Sequence, residues 1–344
     1  MPDTRFGLLP TMVGSMPHKK AGPASALVAQ HLKDIPCWCQ LPRRSFLENM
    51  YVQYSEGMPG TVIKEDEKKI YIDPNVASDS DVERLLTASE GNDIDQFPVS
   101  REYAAGLYQF LSQQNPTPLS VKGQVTGPLS FGLTVMDNTG MPVLYNETLA
   151  DLATRLLRLK AGWQEKELRR ISRNTIIFID EPYLSSLGSA YVAVPKEKVL
   201  SLLEEVFGGI KGLKGLHCCG NTDWALLLGT RADILSFDTY TYAEAFSLYP
   251  KELGQFLKRG GAVAWGIVPN TEENLAKETV SSLKDRLEEA MAPFARKGIP
   301  FEDLIQHGLI TPCCGLDSLP EEGAVAVLAL LTDLSVRMRQ AHVK

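Results

Sequence analysis

The sequence predicts an α/β fold: a single (β/α)8 TIM barrel over residues 1–344, with a long insertion after the second strand. Three observations predict it. Eight short apolar runs alternate with longer amphipathic stretches, the pattern of repeated strand–helix units. Most of the runs are too apolar for a half-exposed sheet, as strands covered on both faces by helices are. Chemistry-bearing residues gather at the C-terminal ends of the runs, where a barrel places its reaction site. The rival is an open doubly wound sheet built for a dinucleotide. It lacks a G-x-G-x-x-G after the first strand.

The eight predicted strands, bounded mainly by Gly, Pro, Asn or Asp, are 9–15, 35–40, 119–124, 175–180, 215–219, 234–238, 262–267 and 309–313. A helix is predicted over 146–173, with leucines at 149, 152, 156, 157 and 159 along one side and basic residues along the other. Similar stretches follow at 196–207, 243–259 and 271–297. The last helix, 320–342, opens on Pro320 with Glu321 and Glu322 behind it. Proline and acidic residues suit the first turn, where the helix dipole is positive. The insertion, about 41–118, contains the charged stretch TVIKEDEKKIYIDP, which reads as a hairpin. An insertion of this length on a barrel is expected to line the substrate pocket.

Composition narrows the function. Hydrophobic residues make up 44% and charged residues 22% of 344, ordinary for a folded chain with a large core. The net charge of -7 and the absence of a basic block interleaved with aromatics speak against nucleic acid. No apolar run is long enough to cross a bilayer, and Pro10 breaks the short apolar start, so no membrane association and a cytoplasmic location are expected. Six cysteines occur as the pairs 37/39, 218/219 and 313/314. In a reducing compartment such pairs suggest metal or thiol chemistry and not a disulfide framework.

The strand ends carry Gly14-Ser15, Gln124, Asp180-Glu181-Pro182, His217-Cys218-Cys219, Asp238 and Cys313-Cys314-Gly315. Alternation along a strand turns His217 and Cys219 to one side. With Cys314 they offer one nitrogen and two sulfurs, a soft set suited to tetrahedral Zn²⁺. Three protein ligands leave one position for an incoming group, and coordination there would make a thiol nucleophilic at neutral pH. Taken singly, His217 would be a hydrogen-bonded core histidine and each cysteine buried apolar filler. Cys218 and Cys313 should point away from the ligands and pack, and Cys37 and Cys39 read as strand core. Asp180 should face the barrel mouth as a substrate contact. Glu181 suits either a contact or a helix cap. In the insertion, Glu48 and Glu56 are either solvated carboxylates or reach the pocket, Glu56 then as a substrate-binding residue. His18 follows the first strand and belongs either to the mouth or to the surface. His307 precedes the last strand, on the face opposite catalysis.

Together, Val13-Gly14-Ser15, Lys122-Gly-Gln-Val-Thr-Gly-Pro128, Ile179-Asp180-Glu181-Pro182, His217-Cys218-Cys219-Gly220 and Pro312-Cys-Cys314-Gly315-Leu316 resemble the catalytic half of cobalamin-independent methionine synthase. The likeness extends to the superfamily that this enzyme shares with uroporphyrinogen decarboxylase and the methylcobamide:thiol methyltransferases. It implies a zinc-dependent methyltransferase, with His217, Cys219 and Cys314 as metal ligands and Asp238 in the place of the family's glutamate ligand. It also implies that Gly14 and Ser15 hold the carboxylate of an amino-acid thiol such as homocysteine, with Asp180 on its ammonium. The chain has room for one barrel where the folate-dependent enzymes have two. A methylated corrinoid (methylcobalamin, or one carried by a partner corrinoid protein) is therefore the expected donor. Three alternatives stand beside this reading. One is a coenzyme M-type thiol methyltransferase. Another is a decarboxylase using Arg43 and Arg44 on substrate carboxylates. The last is a non-catalytic zinc- or corrinoid-binding module.

Overall fold

The computed structural model describes residues 4–113, 117–189 and 192–343. Among them ten strands form: β1 Leu9–Pro10, β2 Thr61–Lys64, β3 Lys69–Ile72, β4 Val121–Thr126, β5 Met136–Asp137, β6 Thr175–Asp180, β7 Leu213–Cys218, β8 Ile234–Asp238, β9 Ala262–Val268 and β10 Gly308–Pro312. Seven of these make one curled parallel sheet in the order β1-β10-β9-β8-β7-β6-β4. Every residue of β4, β6, β9 and β10 is buried, which is why these strands read as continuous apolar runs. The sheet is covered by helices. Glu147–Leu168 packs on β4, β6 and the helix Lys196–Phe207. Glu321–His342 packs on β1, β10 and the helices Ala21–His31 and Val280–Arg296.

The predicted strand at 35–40 is not a strand of this sheet. Pro36 has no N–H to give a ladder, and the segment pairs only through isolated parallel bridges, Cys37 with Lys122 and Gln40 with Ser15. It nevertheless lies between the two edges. Lys122 N–H donates to Pro36 C=O at 2.9 Å, Gln40 N–H to Gly14 C=O at 3.0 Å and Met16 N–H to Gln40 C=O at 2.9 Å. The first strand is likewise shorter than the predicted 9–15. Two predicted helices are divided. The 243–259 stretch falls into Thr239–Phe246 and Pro250–Lys258, because Pro250 starts a new helix and cannot continue an old one. The 271–297 stretch becomes Glu272–Leu275 and Val280–Arg296, the second opened by a capping box between Thr279 and Ser282.

In the insertion β2 and β3 form the predicted antiparallel hairpin, which β5 joins to make a separate three-stranded sheet. Two caps order the part nearest the strand ends. Ser45 Oγ accepts Leu47 N–H at 3.1 Å and Asn49 Oδ1 accepts Tyr51 N–H at 3.0 Å. The helix that follows, Met50–Ser55, packs on β4. Among the described residues no helix is long and apolar enough to cross a membrane.

Candidate metal centre and substrate cavity

A cavity of about 230 Å³ opens where the sheet strands end. β6 delivers Asp180 to it and β7 delivers His217. The turns beyond β7 and β10 deliver Cys219 and Cys314, and the segment after β1 delivers Ser15. The insertion contributes Glu48, Asn49 and Tyr51.

The ligand atoms of His217, Cys219 and Cys314 lie within 4.8 Å of one another. His217 is buried, and its two nitrogens are in different states. Nδ1 sits 3.0 Å from Ser236 Oγ, on the register neighbour in β8, whereas Nε2 is buried with no hydrogen-bond partner. An orphaned buried ring nitrogen is costly unless something binds it. The two sulfurs are coupled. A hydrogen bond from Cys314 and the nearby imidazole draw the Cys219 thiol well below its usual range, although burial opposes this. Holding that proton pushes Cys314 up. Two neighbouring sulfurs, one of them drawn toward the thiolate, beside an imidazole nitrogen without a hydrogen-bond partner are a donor set that a soft divalent cation would complete. The neighbouring cysteines turn elsewhere: Cys218 Sγ to Gly220 C=O at 3.5 Å and Cys313 Sγ to Gly266 C=O at 3.2 Å.

Asp180 is 7% exposed, with Oδ1 unpartnered; burial pushes its carboxyl up to about 6, against the pull of His217 and Lys122. Lys122, buried inside the sheet's curl, explains part of that pull. Its Nζ donates to Val13 C=O at 2.5 Å and Gln124 Oε1 at 3.3 Å, and lies 4.8 Å from the Phe178 ring centre. Gly14 has φ +153°, and a Cβ there would come within 2.6 Å of the Gln124 side chain. Ser15 Oγ donates to Asp317 Oδ1 at 2.7 Å.

Two residues expected at the site are placed otherwise. Asp238 is not in the cluster: its Oδ1 accepts Thr241 N–H at 2.9 Å and caps the helix Thr239–Phe246. Glu56 does not line the cavity; its Oε2 accepts Ser100 N–H at 2.8 Å and lies 3.9 Å from Lys160 Nζ. Glu48 takes the wall instead, its oxygens held by Arg44 at 2.8 Å and Leu41 N–H at 3.1 Å, and burial pushes its carboxyl up to about 7. Glu181 is a cap. Its oxygens accept Leu129 and Ser130 N–H, each at 2.8 Å, and Ser130 Oγ at 2.6 Å, at the start of helix Pro128–Thr134. Cys37 and Cys39 are buried thiols, both raised by burial, the first to about 11. Nε2 of His18 lies 3.8 Å from Glu321 and the residue is outside the cavity wall. Neither Arg43 nor Arg44 lines the cavity. Sequence reasoning missed Ser236, Asn49, Tyr51 and Asp317. Only Asp317 had a signal within reach, three residues beyond Cys314.

No family model matches the chain, and no curated protein matches it. Solved structures do. One is a B12-independent methionine synthase from Shewanella sp. W3-18-1 in complex with selenomethionine: 17% identity, TM-score 0.58, covering 97% of this chain and 98% of that one. Another is a methyltransferase from Methanosarcina mazei: 13% identity, TM-score 0.54, covering 94% and 93%. The fold is shared. At these identities that is what the likeness establishes.

Proposed function

We propose that this chain is a zinc-dependent methyltransferase that moves a methyl group onto a thiol. The single observation that carries the proposal is the set of His217, Cys219 and Cys314 opening into a cavity walled by an unpartnered carboxylate. Three protein donors facing a cavity suit a catalytic site, whereas a structural zinc is closed by a fourth protein ligand. The fold shared with the two methyltransferase structures supports this reading. We read the segment 35–40, bonded to both sheet edges, as the eighth stave of a closed (β/α)8 barrel.

Zinc held by these three side chains supplies the Lewis acidity that keeps a thiol deprotonated at neutral pH. The chain's own residues do the rest. Ser236 engages Nδ1 of His217 and so presents Nε2 to the ion. Asp180 offers Oδ1 to the ammonium of an amino-thiol, homocysteine being the first to test. The Glu48–Tyr51 wall, ordered by its two caps, shields the sulfur from water. The acceptor sulfur forms the new S–C bond as the methyl group's bond to the donor breaks, and that bond's electron pair leaves with the donor.

The donor is the more open choice. Room for only one barrel favoured a methylated corrinoid, alone or on a partner corrinoid protein. The Shewanella structure, matched over 98% of its chain, is of the same extent and is B12-independent, so extent alone no longer discriminates. A decarboxylase holding several carboxylates with arginine is disfavoured, because among the described residues no arginine lines the cavity.

Zinc-loaded protein should hold one zinc per chain and methylate a thiol from methylcobalamin or methyl-folate, the two donors being compared side by side. Cys219→Ala and Cys314→Ala should each lower metal affinity by about tenfold or more and abolish turnover. A folded wild-type protein that retains no zinc after loading refutes the proposal.

A further inference from the structure

The charge on the cavity wall is one-sided. Among the described residues, its ionisable side chains besides the ligands and Tyr51 are Glu48, Asp180 and Asp317, and no lysine or arginine lines it. Glu48 is matched by Arg44 at 2.8 Å, and Asp180 is backed from inside the curl by Lys122. Asp317 takes its bond from a neutral hydroxyl, that of Ser15 at 2.7 Å. That bond uses the hydroxyl that would otherwise donate to a substrate carboxylate. It also sets a negative group where such a carboxylate would come.

The arrangement is held in place. Leu316 N–H donates to Ser15 C=O at 3.0 Å, and a Cβ on Gly315 would lie 2.0 Å from Ser15 Oγ. The turn carrying Asp317 is thus bonded and closely packed against Ser15. Independently of this pair, Asp180 Oδ1 is buried, unpartnered and on the same wall. It is a ready partner for a cation.

Resting on the thiol-acceptor reading above, we propose that the acceptor is an aminothiol without a carboxylate beside its ammonium, and that Asp317 on Ser15 enforces this choice. A cationic group in the cavity finds two carboxylates on its wall, Asp180 and Asp317, whereas an anionic arm beside Ser15 meets the Asp317 carboxylate with no lysine or arginine of the wall to offset it.

The test is a thiol titration of Co²⁺-substituted protein at one pH near 8, read by the rise in thiolate-to-cobalt charge-transfer absorption above the band that Cys219 and Cys314 give by themselves. The probes are 3-aminopropane-1-thiol, homocysteine and 2-mercaptoethanesulfonate. The first should bind at least about tenfold tighter than homocysteine, and the sulfonate weakest, as one unfavourable charge in a partly buried site implies. Asp317→Asn should shrink the first ratio to about threefold or less, because the repulsion goes while the fold stays. Equal or tighter binding of homocysteine by the wild-type protein overturns the inference and leaves thiol ligation standing. So does an undiminished ratio in Asp317→Asn. No change in that absorption with any of the three thiols, in protein that holds cobalt, overturns both readings.

Discussion

His217 shows how a neighbour settles what a side chain can do. Its Nδ1 is 3.0 Å from Ser236 Oγ, so Nε2 is the nitrogen left for a ligand. Removing the hydroxyl frees the ring to rotate or change tautomer, and Ser236→Ala should weaken zinc binding by about 10–100-fold without loss of fold. Competition with a chromophoric chelator measures this; unchanged affinity would show that Ser236 does not orient the ring. The pairing of His217 with Cys219 was legible from their i, i+2 spacing at a strand end, although Cys219 lies in the turn just past β7. Ser236 was not, because it meets His217 through the β7–β8 register, which a single sequence does not specify. Asp238 was misplaced for a different reason. Aspartate at a strand end that begins a helix is equally suited to a ligand and to an N-cap, and here the cap prevails. Glu56 was misplaced because nothing in the insertion's sequence foretells that Ser100 and Lys160 surround it.

Among the elements, 35–40 is the instructive one. Its apolar character predicts a strand, but Pro36 limits its ladder to isolated bridges. What remains are bonds from Lys122 to Pro36, from Gln40 to Gly14 and from Met16 to Gln40. If these close the barrel, the amides of Gln40 and Lys122 should exchange with solvent within about tenfold of those in β6 and β7. Hydrogen exchange read residue by residue measures this, and exchange at loop rates would mean an open sheet. The strands at 175–180 and 234–238 were legible to the residue, since apolar runs ending in aspartate mark them sharply. Helices were legible where they were long and striped, as in Glu147–Leu168, and divided where Pro250 or the Thr279 cap restarts the backbone hydrogen bonding. Ala21–His31 escaped notice: no side chain caps it and its first turn carries no acidic residue.

At the scale of the molecule, the α/β class was readable because strands buried on both faces and amphipathic helices follow one another along the chain. The pooling of His217, Cys219 and Cys314 was readable from their positions at the strand ends. The charge of the cavity was not, because it depends on which carboxylates meet a cation, Glu48 with Arg44, and which meet only a hydroxyl, Asp317 with Ser15.

Lys122 and Phe178 lie in the interior beneath Asp180, and both are buried. They form a floor opposite the side where the strands end and the cavity opens. If two reactants that meet over the ligands both enter from that side, they queue: the smaller goes in first, to the sulfur-binding end, and the methyl carrier stands in the passage behind it. The methylated product leaves only after the spent carrier has withdrawn. Initial rates should accordingly show product inhibition competitive with the thiol and non-competitive with the donor. A random-order pattern would mean a second way in.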